Sequence, residues 1–232
     1  ENGRVYPVKD GTVTVTATSV YNPDVYAEHV ITITNQGELF TVTFDKNGGS
    51  TVSQASNEVT YDGTLKNYYQ LLEIGNVKYM IVTLDYSPDA NEIAWAKEVI
   101  DTYSEYNVIL TTHSYFDHDL SLNSDGENIY NAIVSKCSNV VLVLCGHRYP
   151  QDEDGDYGPR YQITTRDDGS KAFQMMVNPQ KFEDDAGRSL GMLAMLYFSE
   201  DGRNVSLEYF STISGMYYRD KYQFSFELDL VD

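Results

Sequence analysis

Three short apolar runs, residues 77–84 (VKYMIVTL), 107–112 (NVILTT) and 139–145 (NVVLVLC), constrain this chain more than any other feature. Each is nearly continuous in apolar residues, as a strand buried on both faces must be. Segments with helical periodicity separate them. After the first run, SPDANEIAWAKEVIDTY offers Ser87 as a cap, Pro88 at the first helical position and acidic residues in the first turn. Ile93, Ala96, Ile100 and Tyr103 then recur three or four apart, which predicts an amphipathic helix of about four turns. After the second run, residues 126–136 (GENIYNAIVSK) predict a shorter helix with Ile129, Ala132 and Ile133 inward. Buried strands alternating with helices predict a β-α-β-α-β unit of right-handed crossovers in a parallel sheet. The expected fold class is therefore α/β.

The flanking regions read differently. TVTVTAT (12–18), EHVITIT (28–34) and LFTVTFD (39–45) alternate with period two and are rich in Thr and Val, so each predicts a strand. An Asn-Gly pair within 46–49 is a hairpin signal. The first 60 or so residues thus form a small all-β segment. Beyond Pro150, YQITT, AFQMMV, GMLAMLYF, NVSLEYF and YQFSFELDL read as strands. They predict a largely antiparallel sheet closing the domain.

Asp and Glu number 35 against 16 Lys and Arg, a formal net charge of −19. Such a surface repels phosphate backbones and anionic lipid, so nucleic acid and membrane surfaces are not expected partners. No apolar run is long enough to span a bilayer, and no signal peptide is visible. The opening residues read as the middle of a domain, which predicts a piece of a longer polypeptide. Cys137 and Cys145 fit no zinc spacing and read as two free thiols.

All strands of a parallel sheet end on one edge, and ligands of open α/β sheets bind there. The strand ends here are TLDY, TTHSYFDHD and LCGHRYP, which set Asp85, His113 and His147 on that edge. Gly146 permits a tight turn just before the second histidine. Two converging imidazoles make half of a site for a divalent metal ion. A single histidine after a strand is usually only a polar residue at a loop start. Two of the chain's four histidines at matching strand ends favour a metal-ligand reading for His113 and His147. Asp85 is the candidate third ligand, although an Asp in this place more often caps a loop. His118, Asp117 and Asp119 read as solvated loop residues, and His29 as a surface residue. The acidic stretch 151–158 (QDEDGDYG) lacks the ordered spacing of a calcium loop. No Gly-rich phosphate loop, G-x-S-x-G elbow or H-E-x-x-H helix occurs.

Five stretches, NYYQLLEIGNVKYMIVTLDYSP, EIAWAKEVI, VILTTHSYFDHD, NVVLVLCGHRYP and FQMMVNPQ, together resemble the C-terminal half of calcineurin-like metallophosphoesterases, over about 67–211. The resemblance implies half of an α+β sandwich and a hydrolase. In that family two metal ions about 3.5 Å apart clamp a phosphate ester and generate a hydroxide. His113 matches the histidine of the family's THxx motif and His147 the first histidine of its GHxH motif, and both would bind the same metal. Tyr149 stands where the second GHxH histidine belongs. The family's upstream Asp-x-His, Gly-Asp and Gly-Asn-His motifs, which supply the bridging carboxylate and an Asn ligand, are missing.

Upstream, GTVTVTATSVYNPDVYAEHVITIT resembles the end of a bacterial group 2 immunoglobulin-like domain, and LFTVTFDKNGGSTVSQASNEVTYDGT resembles the opening of a Listeria–Bacteroides repeat. The expected domains are then 1–36, 37–66 and 67–232. These resemblances imply an extracellular or wall-attached bacterial protein, with cell-surface or wall partners. The expected function is a secreted metal-dependent phosphoesterase of which this chain holds part of the site, with at most one metal weakly held. A noncatalytic, degenerate phosphoesterase fold used for surface binding or display is the alternative.

Overall fold

The chain divides into two units, residues 1–53 and 54–232. In the computed structural model, residues 11–18, 26–33, 58–74, 76–149, 158–183, 186–218 and 222–231 are described. In the first unit, β1 (Gly11–Thr18) pairs antiparallel with β2 (Tyr26–Ile33), from Gly11 opposite Ile33 to Thr18 opposite Tyr26. The expected strand at 39–45, the Asn-Gly turn after it and the acidic stretch 151–157 lie outside the described residues.

The second unit is mixed α/β and rich in strands. Its larger sheet has seven: β3 (Glu58–Thr60), β4 (Tyr68–Ile74), β5 (Val77–Thr83), β6 (Asn107–Thr111), β7 (Val140–Cys145), β8 (Arg160–Thr165) and β9 (Lys171–Met176), in the order β3-β4-β5-β6-β7-β9-β8. β5, β6, β7 and β9 run parallel, while β3, β4 and β8 extend the two ends antiparallel. A smaller antiparallel sheet holds β10 (Met192–Phe198), β11 (Asn204–Ser211), β12 (Met216–Tyr217) and β13 (Phe224–Glu227).

The first two crossovers of the parallel core, β5 to β6 and β6 to β7, are helical. α1 (Ala90–Thr102) buries Ile93, Ala96 and Ile100 as its periodicity requires. Its cap is Asp89 rather than Ser87: the Asp89 carboxylate accepts from the N–H groups of Asn91 and Glu92, and Glu92 reaches back to the Asp89 N–H at 2.7 Å. This reciprocal box satisfies more donors than a lone serine would. Ser87 instead donates to Asp125 at 2.8 Å. α2 (Ser124–Ile129) is shorter than the expected 126–136 helix, because the backbone widens into a π turn over Tyr130–Val134.

These elements form layers. Ile93, Ile100, Ile129 and Ile133 of the helical segments meet Met80, Val82, Leu110 and Val143 on one face of the large sheet. On the other face Tyr79, Ile109, Leu142, Phe173 and Met175 meet Val205, Leu207 and Tyr209 of the small sheet. The region beyond residue 150 is therefore not one closing antiparallel sheet. β9 joins β7 in parallel and brings β8 with it, and only β10 to β13 form the second layer. A run such as β9, buried at five of its six positions, belongs in the interior of a two-sided sheet.

A bulge sets the phase of β7. Val108 pairs with Val140 but Ile109 with Leu142, so Val141 is the extra residue. Beyond it, Val143 and Cys145 join the core on the helix side, and Leu142 and Leu144 the core on the small-sheet side.

Candidate metal centre

β6 ends at Thr111 and β7 at Cys145, on the same edge because the two are parallel. Two links hold the loops that follow. The Thr112 N–H donates to Leu144 O at 3.0 Å, and the Gly146 N–H to His113 O at 3.2 Å. The parallel ladder therefore continues one step past both strands and brings the histidines side by side.

The His113 and His147 ring centroids stand 5.0 Å apart, with the rings steeply inclined. Strict alternation from Cys145 would send residue 147 to the helix side, away from the face that His113 continues. A tight turn breaks that alternation: the Arg148 N–H donates to Gly146 O at 2.8 Å, and His147 at its centre has φ +64°. This is the rarer, strained form of the three-residue turn. The left-handed residue is thus the histidine itself and not the preceding glycine, where a sequence reading would place it. A non-glycine residue there carries a steric cost.

Tyr86 completes an aromatic cluster that the sequence reading missed. Its ring lies 5.6 Å from that of His113 and 5.2 Å from that of His147, while half its surface stays exposed. It follows Asp85 at the end of β5, in the stretch TLDY, but nothing in its spacing marks it as a neighbour of both imidazoles.

Asp85 serves the loop around it. Its carboxylate accepts from the Tyr86 N–H at 2.8 Å and faces the Lys66 ammonium at 3.3 Å. Its own N–H donates to Asn67 Oδ1 at 2.9 Å, and buried Asn67 also donates to Glu92 at 2.7 Å, tying the loop to the start of α1. Among the described residues no three of His, Cys, Asp and Glu come together as a group able to hold a metal ion. The structure thus brings His113 and His147 together and does not bring Asp85 to them as a third ligand.

The rest of the edge is polar and braced. His118 is exposed, with Nδ1 3.0 Å from Tyr149 O, and Asp117 pairs with Arg148 at 3.3 Å. Asp119 accepts from the Ser121 N–H and hydroxyl. The Tyr149 hydroxyl donates to Gln180 at 3.1 Å, and the Lys181 ammonium lies over its ring. In the first unit His29 stands opposite Val15 in the β1–β2 ladder.

Both cysteines are free and buried. Burial pushes the Cys145 thiol up to about 12 and the Cys137 thiol up to about 11, so neither is a thiolate ligand or nucleophile near neutral pH.

Two neutral imidazoles suit a divalent ion of the zinc, manganese or nickel type. A two-metal centre needs bridging and terminal carboxylates as well, and the described residues do not add them to the pair. The donor set fits part of one metal's shell and not a two-metal group.

No protein-family model matches the chain, and no solved structure matches it. A curated protein of Bacillus subtilis (strain 168), named Uncharacterized protein YvnB, is 29% identical over 109 residues. That likeness takes in 43% of this chain, and the chain spans 8% of that protein's length. Among the described residues no helix is long and apolar enough to cross a membrane.

Proposed function

We propose that residues 67–232 are part of a metal-dependent phosphoesterase domain of a secreted or surface bacterial protein, of calcineurin-like type, with His113 and His147 as ligands of one divalent metal ion. The observation that carries this reading is the meeting of the two imidazoles, 5.0 Å apart, at the carboxyl edge of a parallel sheet. The resemblance of the surrounding stretches to that family supplies the reaction class. The strained backbone at His147 supports the reading further, because strain of this kind concentrates at functional sites.

Among the described residues the phosphoesterase site is incomplete. Imidazole pairs without carboxylates hold a metal weakly and leave nothing to bridge a second ion. A second reading follows from that same lack of a third ligand among the described residues: the fold serves as a noncatalytic binding or display module on a cell surface.

Calorimetric titration with Mn²⁺ and with Zn²⁺ tests the first reading. Wild type takes up a single ion weakly, and His113→Ala and His147→Ala each abolish the heat. A flat titration of folded wild type refutes the ligand assignment. Hydrolysis of an aryl phosphate stays at background with either metal. Metal-dependent turnover lost on His113→Ala shows instead that the chain carries a working site.

A further inference from the structure

We propose that the cavity between the two sheets binds an aryl group of about two fused rings, carried by a ligand whose polar end lies at His113 and His147. For the polar end this rests on the metal-site reading above, whereas the apolar end stands on the cavity alone.

The cavity has a volume of about 300 Å³. Leu144 and Met175 of the large sheet and Val177, just past β9, form one wall, and Ala194, Leu196 and Leu207 of the small sheet the other. Polar atoms on its lining are already used. The Thr111 hydroxyl bonds that of Thr83 at 2.8 Å, the Thr112 hydroxyl donates to Asp85 O at 3.4 Å, and the Cys145 thiol faces Met175 O at 3.6 Å. Water entering such a space finds few partners, whereas an apolar group displaces it favourably. A closed apolar cavity of about 150 Å³ holds a single benzene ring; this cavity opens to solvent, and its larger volume leaves room for two fused rings. Pockets of about this size, apolar with a few polar groups at one end, are the usual form of small-molecule sites.

The polar end follows from position. Thr112 and Gly146 line the cavity, and each immediately precedes one histidine of the pair. Small-sheet cover is thin at that end: Ala194 lies on the inward side of β10 between Met192 and Leu196, yet is itself exposed. A ligand seated between the sheets can therefore pass its polar group out beside the imidazoles. Under the proposed function, the substrate class is an aryl phosphate ester rather than a small polar phosphate.

The test uses 2-naphthol, which has the rings but no phosphate, and protein labelled with ¹³C at the methionine methyls. The Met175 signal shifts saturably, and that of exposed Met216 does not. Phenol binds about tenfold or more weakly, because it leaves roughly half the apolar contact unmade. Ala194→Phe, which fills the cavity from a position with room to turn outward, weakens 2-naphthol by a similar factor. No shift at Met175, or equal affinity for phenol and 2-naphthol, overturns the proposal even if the Phe variant fails to fold. 1-Naphthyl phosphate separates the two readings. If 2-naphthol binds but divalent ions add nothing to 1-naphthyl phosphate binding, the metal reading falls and the aryl site stands. If metal binds the histidine pair while 2-naphthol leaves Met175 unmoved, the reverse holds.

Discussion

Replacing His147 by Gly should cost less stability than replacing it by Ala. Both substitutions remove the ring and its contacts with His113 and Tyr86. They differ in the backbone. At φ +64° an alanine keeps the clash between Cβ and the following carbonyl, worth about 1–2 kcal/mol, while glycine does not. Glycine also frees the unfolded chain, which returns roughly 0.4–1 kcal/mol of that gain. The net advantage of Gly over Ala at 147 is then about 0.5–1 kcal/mol. His113 is the control, since it is not among the residues with positive φ. There the order reverses, and Gly is the worse substitution by roughly 0.5–1 kcal/mol. Urea unfolding of the four variants, followed by far-UV circular dichroism, reads the difference. With a slope of about 2 kcal/mol per molar urea, the midpoint of His147→Gly lies about 0.3–0.5 M above that of His147→Ala. Equal midpoints at 147, or the same Gly penalty at both positions, refute the strained-turn account. The expected order has a functional meaning. A glycine would serve the turn better than a histidine does, so the imidazole is held there at a cost to stability, as strained residues at functional sites often are.

Gly126→Ala should destabilise the second unit by about 3 kcal/mol in the same assay, because a Cβ at that position would stand 2.0 Å from Tyr115 O, a backbone atom with little room to move. Ellman's reagent at pH 8 should leave both cysteines unreacted in the folded protein and titrate both in guanidinium, since burial raises both thiols; rapid reaction of either in the native state would contradict their burial. Stability should fall as pH rises through the alkaline range. The folded Cys145 thiol keeps its proton up to about 12, against an ordinary value of 9.0, so its contribution is complete below pH 9 and is lost between there and pH 12. At pH 11 that loss is ~3 kcal/mol. Tyr69 and Tyr79, each pushed up to about 12 mainly by burial, act in the same direction above pH 10. An unfolding free energy that stays level from pH 8 to 11 would refute this.

The parallel core was legible because burial on both faces leaves a mark within each strand. Residues 77–84, 107–112 and 139–145 carry that mark, and they became β5, β6 and β7 with the expected helical crossovers. The arrival of His113 and His147 at one edge followed from that order, because parallel neighbours end together. Pairings beyond residue 150 were harder, since strand pattern alone does not name a strand's neighbour. β9 carried a usable signal, the run AFQMMV, which marks a strand with two covered faces and so a place inside the large sheet. Its hairpin partner β8 alternates between half-buried and exposed, as any antiparallel strand on one covered face would, and only follows β9. The cap of α1 was also in the sequence: Asp89 and Glu92 stand three apart, the spacing of a capping box, and they outcompete Ser87. By contrast, the turn at His147 and the approach of Tyr86 depend on how the edge loops close. No periodicity records that.

The acidity of the chain bears on the candidate site as well as on partners. A phosphate ester approaching a protein with a formal charge of −19 meets long-range repulsion that salt only partly screens. Local positive charge has to overcome it. Two cations on the site loops are engaged, Lys66 with Asp85 at 3.3 Å and Arg148 with Asp117 at 3.3 Å, while the Lys181 ammonium lies over the Tyr149 ring. Both pairs are partly exposed, so neither is strong, but each offsets part of the field its cation offers. Under the proposed function, a divalent ion on His113 and His147 would bring the positive charge that a phosphate requires. An excess of carboxylates on the surface helps to collect such ions from solution. The same charge balance that argues against nucleic acid thus favours, under the proposed function, a phosphate that binds together with its metal ion. The aryl cavity, which depends on neither, can be occupied without a metal.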